Sequence, residues 1–335
     1  MIKKQNPSTS LRASESDSVT SRAVRALKKN YELYLIFLPV LVYYIVFYYK
    51  PMLGLVIAFK DYAPGKGIWG SNWVGFTHFR NFFSSPNFAR TLINTIRISV
   101  SSLIFSFPAP IIFALSLNEL RLNKTKKVIQ TVSYMPHFIS LVVAVGLVLD
   151  FVQRDGVIND IIALCGGERI AFMAEPNWFT PIYIMSDIWQ EVGWSSIIYL
   201  AAIAGVSADL YEAAAIDGAG RFRQLIHVTL PGIMPTIVIL FIMKTGNIMS
   251  LGYEKIILMY NDMVLEKADI ISSYVYRISF GAAPNYGYST AVGLFNTVIN
   301  VILLVSTNYI CGKVNETTLW QSFFATQNGK EIKVK

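Results

Sequence analysis

Glu212, Ala213 and Ala214, followed by Asp217, Gly218, Ala219 and then by Leu230 and Pro231, have a spacing suited to mechanical rather than bond-breaking chemistry. The stretch 212–231 is polar and broken by glycine, and it lies between two long apolar runs. Ser207 is placed to cap a short helix running to about Asp217, with Asp209 in its first turn at the positive end of the helix dipole. Ala213 and Ala214 give that helix a small, smooth face, and Gly218 and Gly220 end it. A second short helix from Arg221 would turn Phe222 and Leu225 to one side. Two such helices at an angle make a rigid knob that can sit in a partner's cleft, with Glu212 at its base to meet a cation.

A second set of residues is polar where its surroundings are apolar. Lys244 falls about midway along one apolar run and is followed by Gly246 and Asn247. Trp189, Gln190 and Trp194 share another run, and Asn296 and Asn300 a third. A lysine at mid-membrane depth costs on the order of 2.5–3.5 kcal/mol on insertion scales, so it must face a cavity or a partner. Two readings stay open: a structural one, as a pair with Asp187 or Glu191 or as a snorkelling side chain, or the wall of a passage. The tryptophan, glutamine and asparagine side chains divide the same way, between interhelical hydrogen bonding and lining. Arg97 reads as a snorkelling anchor near a helix end.

Catalysis finds little support. His78, His137 and His227 are scattered, so a membrane-embedded enzyme acting on lipid or glycan lacks its cluster of acids, histidines or metal ligands. Met135-Pro136-His137 reads as a helix kink. Gly65-Lys66-Gly67 lacks the following Ser or Thr of a phosphate-binding loop. The cysteines, Cys165 and Cys311, read as unpaired packing residues with no metal site.

The elements that must position these residues are membrane helices. Of 335 residues, 53% are hydrophobic and 15% charged, and mean hydropathy is +0.46, a membrane composition. About six apolar runs reach the length needed to cross hydrocarbon, at approximately 32–49, 97–118, 128–151, 181–205, 233–251 and 289–311. Pro51 closes the first, Pro181 opens the fourth and Pro231 the fifth, while Pro108 and Pro110 should kink the second. Residues 1–30 are polar, basic and Ser-rich, too long for the front of a signal peptide, and are expected to be a disordered cytoplasmic tail. A transmembrane domain spans 31–315, the knob segment 206–231 belongs to it, and 316–335 form a second cytoplasmic tail.

Lysine and arginine set the orientation. The N-terminal tail, the loop with Arg121, Lys124, Lys126 and Lys127, the knob with Arg221 and Arg223, and the C-terminal tail are richer in them than the longer loops at 50–91, 152–180 and 252–288. Both termini and the knob therefore face the cytoplasm. The +8 net charge is a topology signal, since the scattered cations form no nucleic-acid face. Trp69, Trp73, Trp178, Tyr253, Tyr260, Tyr274, Tyr276, Tyr286 and Tyr288 in the outer loops read mainly as interfacial anchors.

Residues 212–231 also resemble the EAA loop by which permease subunits of bacterial ABC importers grip their ATPase: Glu-Ala-Ala, Gly at Gly218, and Leu-Pro at 230–231, with Val228 in place of the usual isoleucine. Over roughly 45–320 the chain is similar to carbohydrate permeases of the maltose-transporter superfamily, most of all the LplB type associated with complex oligosaccharides. The likeness rests on Pro51–Tyr62, Trp73–Phe76, Asn94-Thr95, Tyr134–Ser140, Gly252–Ile256, Ala268–Arg277, Ser289–Asn296 and Asp217-Gly218-Ala219. The resemblance implies an all-α integral membrane protein of about six spans with the type I ABC importer fold, in a bacterial cytoplasmic membrane. It implies a non-enzymatic subunit that imports an oligosaccharide by alternating access, paired with a second homologous permease. Two ATPase subunits, which bind ATP and Mg, would dock inside, and a sugar-binding lipoprotein outside; this chain itself would carry no cofactor. Glu212, Ala213, Ala214, Asp217, Gly218, Ala219, Phe222, Leu230 and Pro231 would couple to the ATPase. Trp189, Gln190, Trp194, Lys244, Asn247 and Asn296 would be the candidate sugar path.

Overall fold

The computed structural model describes residues 30–315 and Thr318. The tails expected at 1–30 and 316–335 fall outside the described residues except for Asn30 and Thr318. The chain divides into two compact units, Met1–Val56 and Ile57–Lys335.

Among the described residues, four helices are long and apolar enough to cross a membrane: α1 (Tyr31–Phe59), α2 (Pro86–Asn118), α7 (Arg221–Gly246) and α10 (Tyr286–Asn315). With each of two bent pairs counted as one span, the number is six. In one, α3 (Asn123–Phe138) meets α4 (Leu141–Leu164) at 104°; in the other, α5 (Pro176–Ala204) meets α6 (Ala208–Ile216) at 69°. The third run, expected as one span over 128–151, is therefore two helices. Pro136 lies in a 3-10 turn at Met135–Phe138, and Ser140 caps the start of α4 by accepting from Val143 N. The only sheet among the described residues is a two-residue hairpin, β1 (Lys60–Asp61) against β2 (Asn72–Trp73), antiparallel.

Pro51 and Pro231 depart from expectation, since they neither end nor open their helices, and Pro108 lies inside its span as expected. Each lies just beyond a π-turn, at Ile45–Tyr49, Ser102–Ser106 and Leu225–Thr229. The residue before each proline donates five residues back, Lys50 to Ile45, Phe107 to Ser102 and Leu230 to Leu225. A proline has no N–H and its ring crowds the carbonyl four residues earlier; widening the preceding turn relieves that clash without ending the helix. Hence α1 runs on past Pro51, and α7 opens at Arg221. The short helix expected at Arg221 is the first turn of that span. Similarly, α5 opens at Pro176, where a missing N–H is harmless, and carries Pro181 within it.

In the fifth run, expected to reach 251, the helix stops at Gly246, just before Asn247. Side chains take over the released backbone groups: Asn296 Nδ2 donates to Met249 O at 3.0 Å, Met249 N donates to Asn300 Oδ1 at 2.9 Å, and Ser99 Oγ donates to Ile248 O. Backbone that leaves a helix at this depth needs such partners. Three more helical pieces follow: α8 (Tyr253–Met259), the short Leu265–Ala268 and α9 (Ile271–Phe280).

Asp269, fully buried, locks this region to α2. It accepts from Arg277 at 2.8 and 2.6 Å, from Arg90 at 3.2 Å and from Ser273 at 2.9 Å. Asn94 Nδ2 reaches the carbonyls of Glu266 and Asp269, and Ile271 N donates to Thr95 Oγ1. Arg97, expected to snorkel, instead donates to Lys267 O. One apolar cluster, including Ile98, Val145, Phe179 and Ile270, joins α2, α4 and α5 to this region. Another, with Ile111, Tyr199, Ile203 and Ile233, packs α2, α5 and α7 near the α6 end.

Candidate functional site

The knob is built by local rules. Ser207 Oγ accepts from Asp209 N at 3.3 Å and starts α6 as expected. Gly218 ends it at φ +75°. Ala219 N donates to Ala214 O at 2.8 Å and Gly218 N to Ala215 O at 3.0 Å, the nested pair of bonds that closes a helix through a left-handed residue. Tyr211 and Thr229 hydroxyls meet at 3.0 Å, Gln224 Nε2 donates to Ala219 O at 2.9 Å, and Arg221 lies 4.0 Å from Glu119 at the end of α2. These ties hold α6 at a fixed angle to α7. Ile216 is 86% and Phe222 76% exposed, so apolar tips project from a rigid corner. Glu212, Ala213, Asp217 and Gly218 are exposed with them, and Ala214 and Ala219 are half-buried. Leu230 and Pro231 lie apart from this corner, within α7 beyond its π-turn.

The second feature is a cavity of about 490 Å³. Ser99 and Ser102 of α2, His137 beside the break after α3, Tyr183, Asp187, Gln190 and Glu191 of α5, Lys244 and Asn247 at the end of α7, and Glu254 and Lys255 of α8 line it. Lys255 is buried, with its Nζ 3.6 Å from Asp187 Oδ1 and 4.9 Å over the Tyr183 ring. Burial lowers its pKa from the ordinary lysine value, against the opposing pull of Asp187 and Glu191. His137 Nδ1 lies 3.0 Å from Glu191, and its ring stacks on Trp194 with centroids 4.5 Å apart and planes 4° from parallel. A smaller cavity of about 180 Å³ continues along α5 toward α6. It shares Asp187, Glu191 and Lys244 and adds Ser106 and Ser195.

Of the expected path residues, Gln190, Lys244 and Asn247 line the large cavity. Trp194 backs it through His137. Trp189 lines a separate apolar groove with Leu147, Phe151 and Met185, and Asn296 is buried against the backbone of Met249. The acids weighed as partners for Lys244 are engaged elsewhere, Asp187 by Lys255 and Glu191 by His137. Lys244 makes no ion pair among the described residues. Lys255, Tyr183 and His137 were not singled out as path residues. Their signal was a lysine in the Gly252–Ile256 block and an acid pair one helical turn apart in an apolar run.

The family model described as "Binding-protein-dependent transport system inner membrane component" matches residues 106–315. Protein LplB of Bacillus subtilis (strain 168) is 46% identical over 296 residues, 88% of this chain and 93% of the relative. The polygalacturonan/rhamnogalacturonan transport system permease protein YteP of the same organism is 44% identical over 298 residues, 89% and 92% of the two chains. A solved bacterial ABC transporter involved in the import of the acidic polysaccharide alginate superposes with a TM-score of 0.81 at 41% identity, covering 88% of this chain and 99% of that one. A bacterial alginate ABC transporter in complex with an alginate pentasaccharide-bound periplasmic protein gives 0.82 at 40%, covering 89% and 100%.

Proposed function

This chain belongs to the binding-protein-dependent transport system inner membrane components, and on that premise we propose that it is the permease subunit of an ATP-driven importer of a complex, carboxylate-bearing oligosaccharide. Its multi-pass helices supply half of a passage, and a second homologous permease supplies the other half. A sugar-binding protein delivers the oligosaccharide outside, and two ATPase subunits inside hold ATP and Mg. The α6 knob couples their movement to the spans, with both termini on the same cytoplasmic side. The observation that carries this reading is the knob itself: an apolar-tipped corner, rigidly closed at Gly218, between two spans of a sugar-permease relative. The acidic class draws support from Lys244 and Lys255 on the cavity wall, and from relatives whose names refer to polygalacturonan and alginate. A cavity with a few polar groups among apolar neighbours can hold such a chain weakly enough to let it leave.

The test is reconstitution of the complete transporter in proteoliposomes, with uptake and ATP hydrolysis followed together. Wild type should accumulate the oligosaccharide only with ATP and the loaded binding protein. Glu212→Ala and Gly218→Trp should leave the permease in the membrane, weaken ATPase binding and stop uptake. Normal uptake with either substitution would overturn the coupling assignment.

A further inference from the structure

The ion pair on the cavity wall is incompletely closed. The Lys255 side chain is 8% exposed, yet its ammonium finds no hydrogen-bond acceptor among the described residues. Asp187 at 3.6 Å neutralises it without taking one of its three N–H donors in a proper bond. A buried charged donor left without an acceptor is unfavourable, so this wall is short of one oxygen ligand. Lys244 faces the same space and repels Lys255. Glu191 is taken up by His137, and Glu254 is exposed. The wall thus carries two lysines among three carboxylates, of which Asp187 alone, loosely held, lies beside Lys255. Asp187 and Lys244 also border the smaller cavity that leads toward α6.

We propose that Lys255 and Lys244 form a subsite for a carboxylate of the transported sugar, and that Asp187 is an internal carboxylate exchanging with it. This rests on the reading of the chain as an importer of acidic oligosaccharide. A uronate entering from the large cavity supplies the missing acceptor to Lys255, and Asp187 takes Lys255 back as the sugar moves on. Exchange of one carboxylate for another keeps Lys255 paired throughout, so the site can be selective without becoming a trap. A transported ligand must bind well enough to enter and weakly enough to leave.

The experiment uses the complete reconstituted transporter, with a uronate tetrasaccharide and the same chain after its carboxylates are reduced to alcohols. Wild type should favour the uronate chain. Lys255→Met should raise KM for the uronate chain by about tenfold or more, as for loss of a buried charged partner, and change the reduced chain by less than about twofold. Asp187→Asn should do the opposite: KM and kcat for the uronate chain should both fall, because the sugar is held in place of the missing competitor. Removing one member of a buried pair can prevent assembly, so the double variant Asp187→Asn/Lys255→Met, with both charges gone, provides a second comparison and should lose the preference for uronate. A wild type that moves both chains equally would overturn the acidic-substrate reading and the subsite with it. A wild type that prefers uronate, with Lys255→Met slowing both chains alike or the double variant keeping the preference, would overturn the subsite alone.

Discussion

The knob at α6 and the cavity beside Lys255 are assembled by opposite means. The α6 helix is shaped within Ser207–Ala219, by a cap at one end and a left-handed glycine at the other, and a few ties to Thr229, Gln224 and Glu119 fix its angle. The cavity draws its wall from α2, the α3–α4 break, α5, α7 and α8, and its charges are held by residues distant in sequence. A surface that must grip a partner can be encoded locally and left exposed. A passage must be framed by the whole fold, with each polar group answered by another. Damage to the frame should therefore cost assembly, whereas damage to the knob should cost coupling.

The largest effect is expected at Asp269. Asp269→Ala leaves Arg90 and Arg277 without their shared buried anion and should destabilise the permease by about 3 kcal/mol. A thermal melt in detergent should show it as a lower Tm. Next comes Gly193 in α5, where an added Cβ would lie 2.1 Å from the Ser133 carbonyl oxygen. Gly193→Val should cost up to about 3 kcal/mol and prevent α3 and α5 from closing, read as loss of copurified partner permease.

Knob substitutions should be milder for the fold. Gly218→Val forces a β-branched residue to a positive φ, costing about 1–3 kcal/mol, but open space surrounds the position. The Tm should fall by less than for Asp269→Ala, while transport-coupled ATP hydrolysis falls steeply. Ser207→Ala removes one cap bond, about 1 kcal/mol, and should lower the uptake rate slightly with assembly intact. The contrast breaks down if Gly218→Val prevents assembly, or if Asp269→Ala leaves the Tm unchanged and abolishes coupling alone.

How much could be read from the residues follows the same division. The Ser207 cap, the glycine closure and the apolar runs were legible because they depend on neighbours along the chain. The helix limits at Pro51, Pro181 and Pro231 were not, because a π-turn or interior position accommodates a proline that local rules treat as a stop. The end of α7 at Gly246 was hidden for another reason. Ile248, Met249 and Leu251 prolong the apolar run past Asn247, and the side chains that hold this stretch out of helix, Asn296 and Asn300, come from α10. Lys244 was legible as an oddity in an apolar run. Its surroundings were not, since the partnering of Asp187 with Lys255 and Glu191 with His137 is decided by how four elements meet.

The central claim is that the α6 corner is the face that meets the ATPase. A photo-crosslinking residue at Ile216, 86% exposed, compared with one at Leu164, 88% exposed at the end of α4, tests it most directly in the complete transporter in native membranes. Irradiation should join the Ile216 probe to the ATPase subunit and leave the Leu164 probe without that product. An Ile216 probe that never captures the ATPase, or a Leu164 probe that does, would contradict the account.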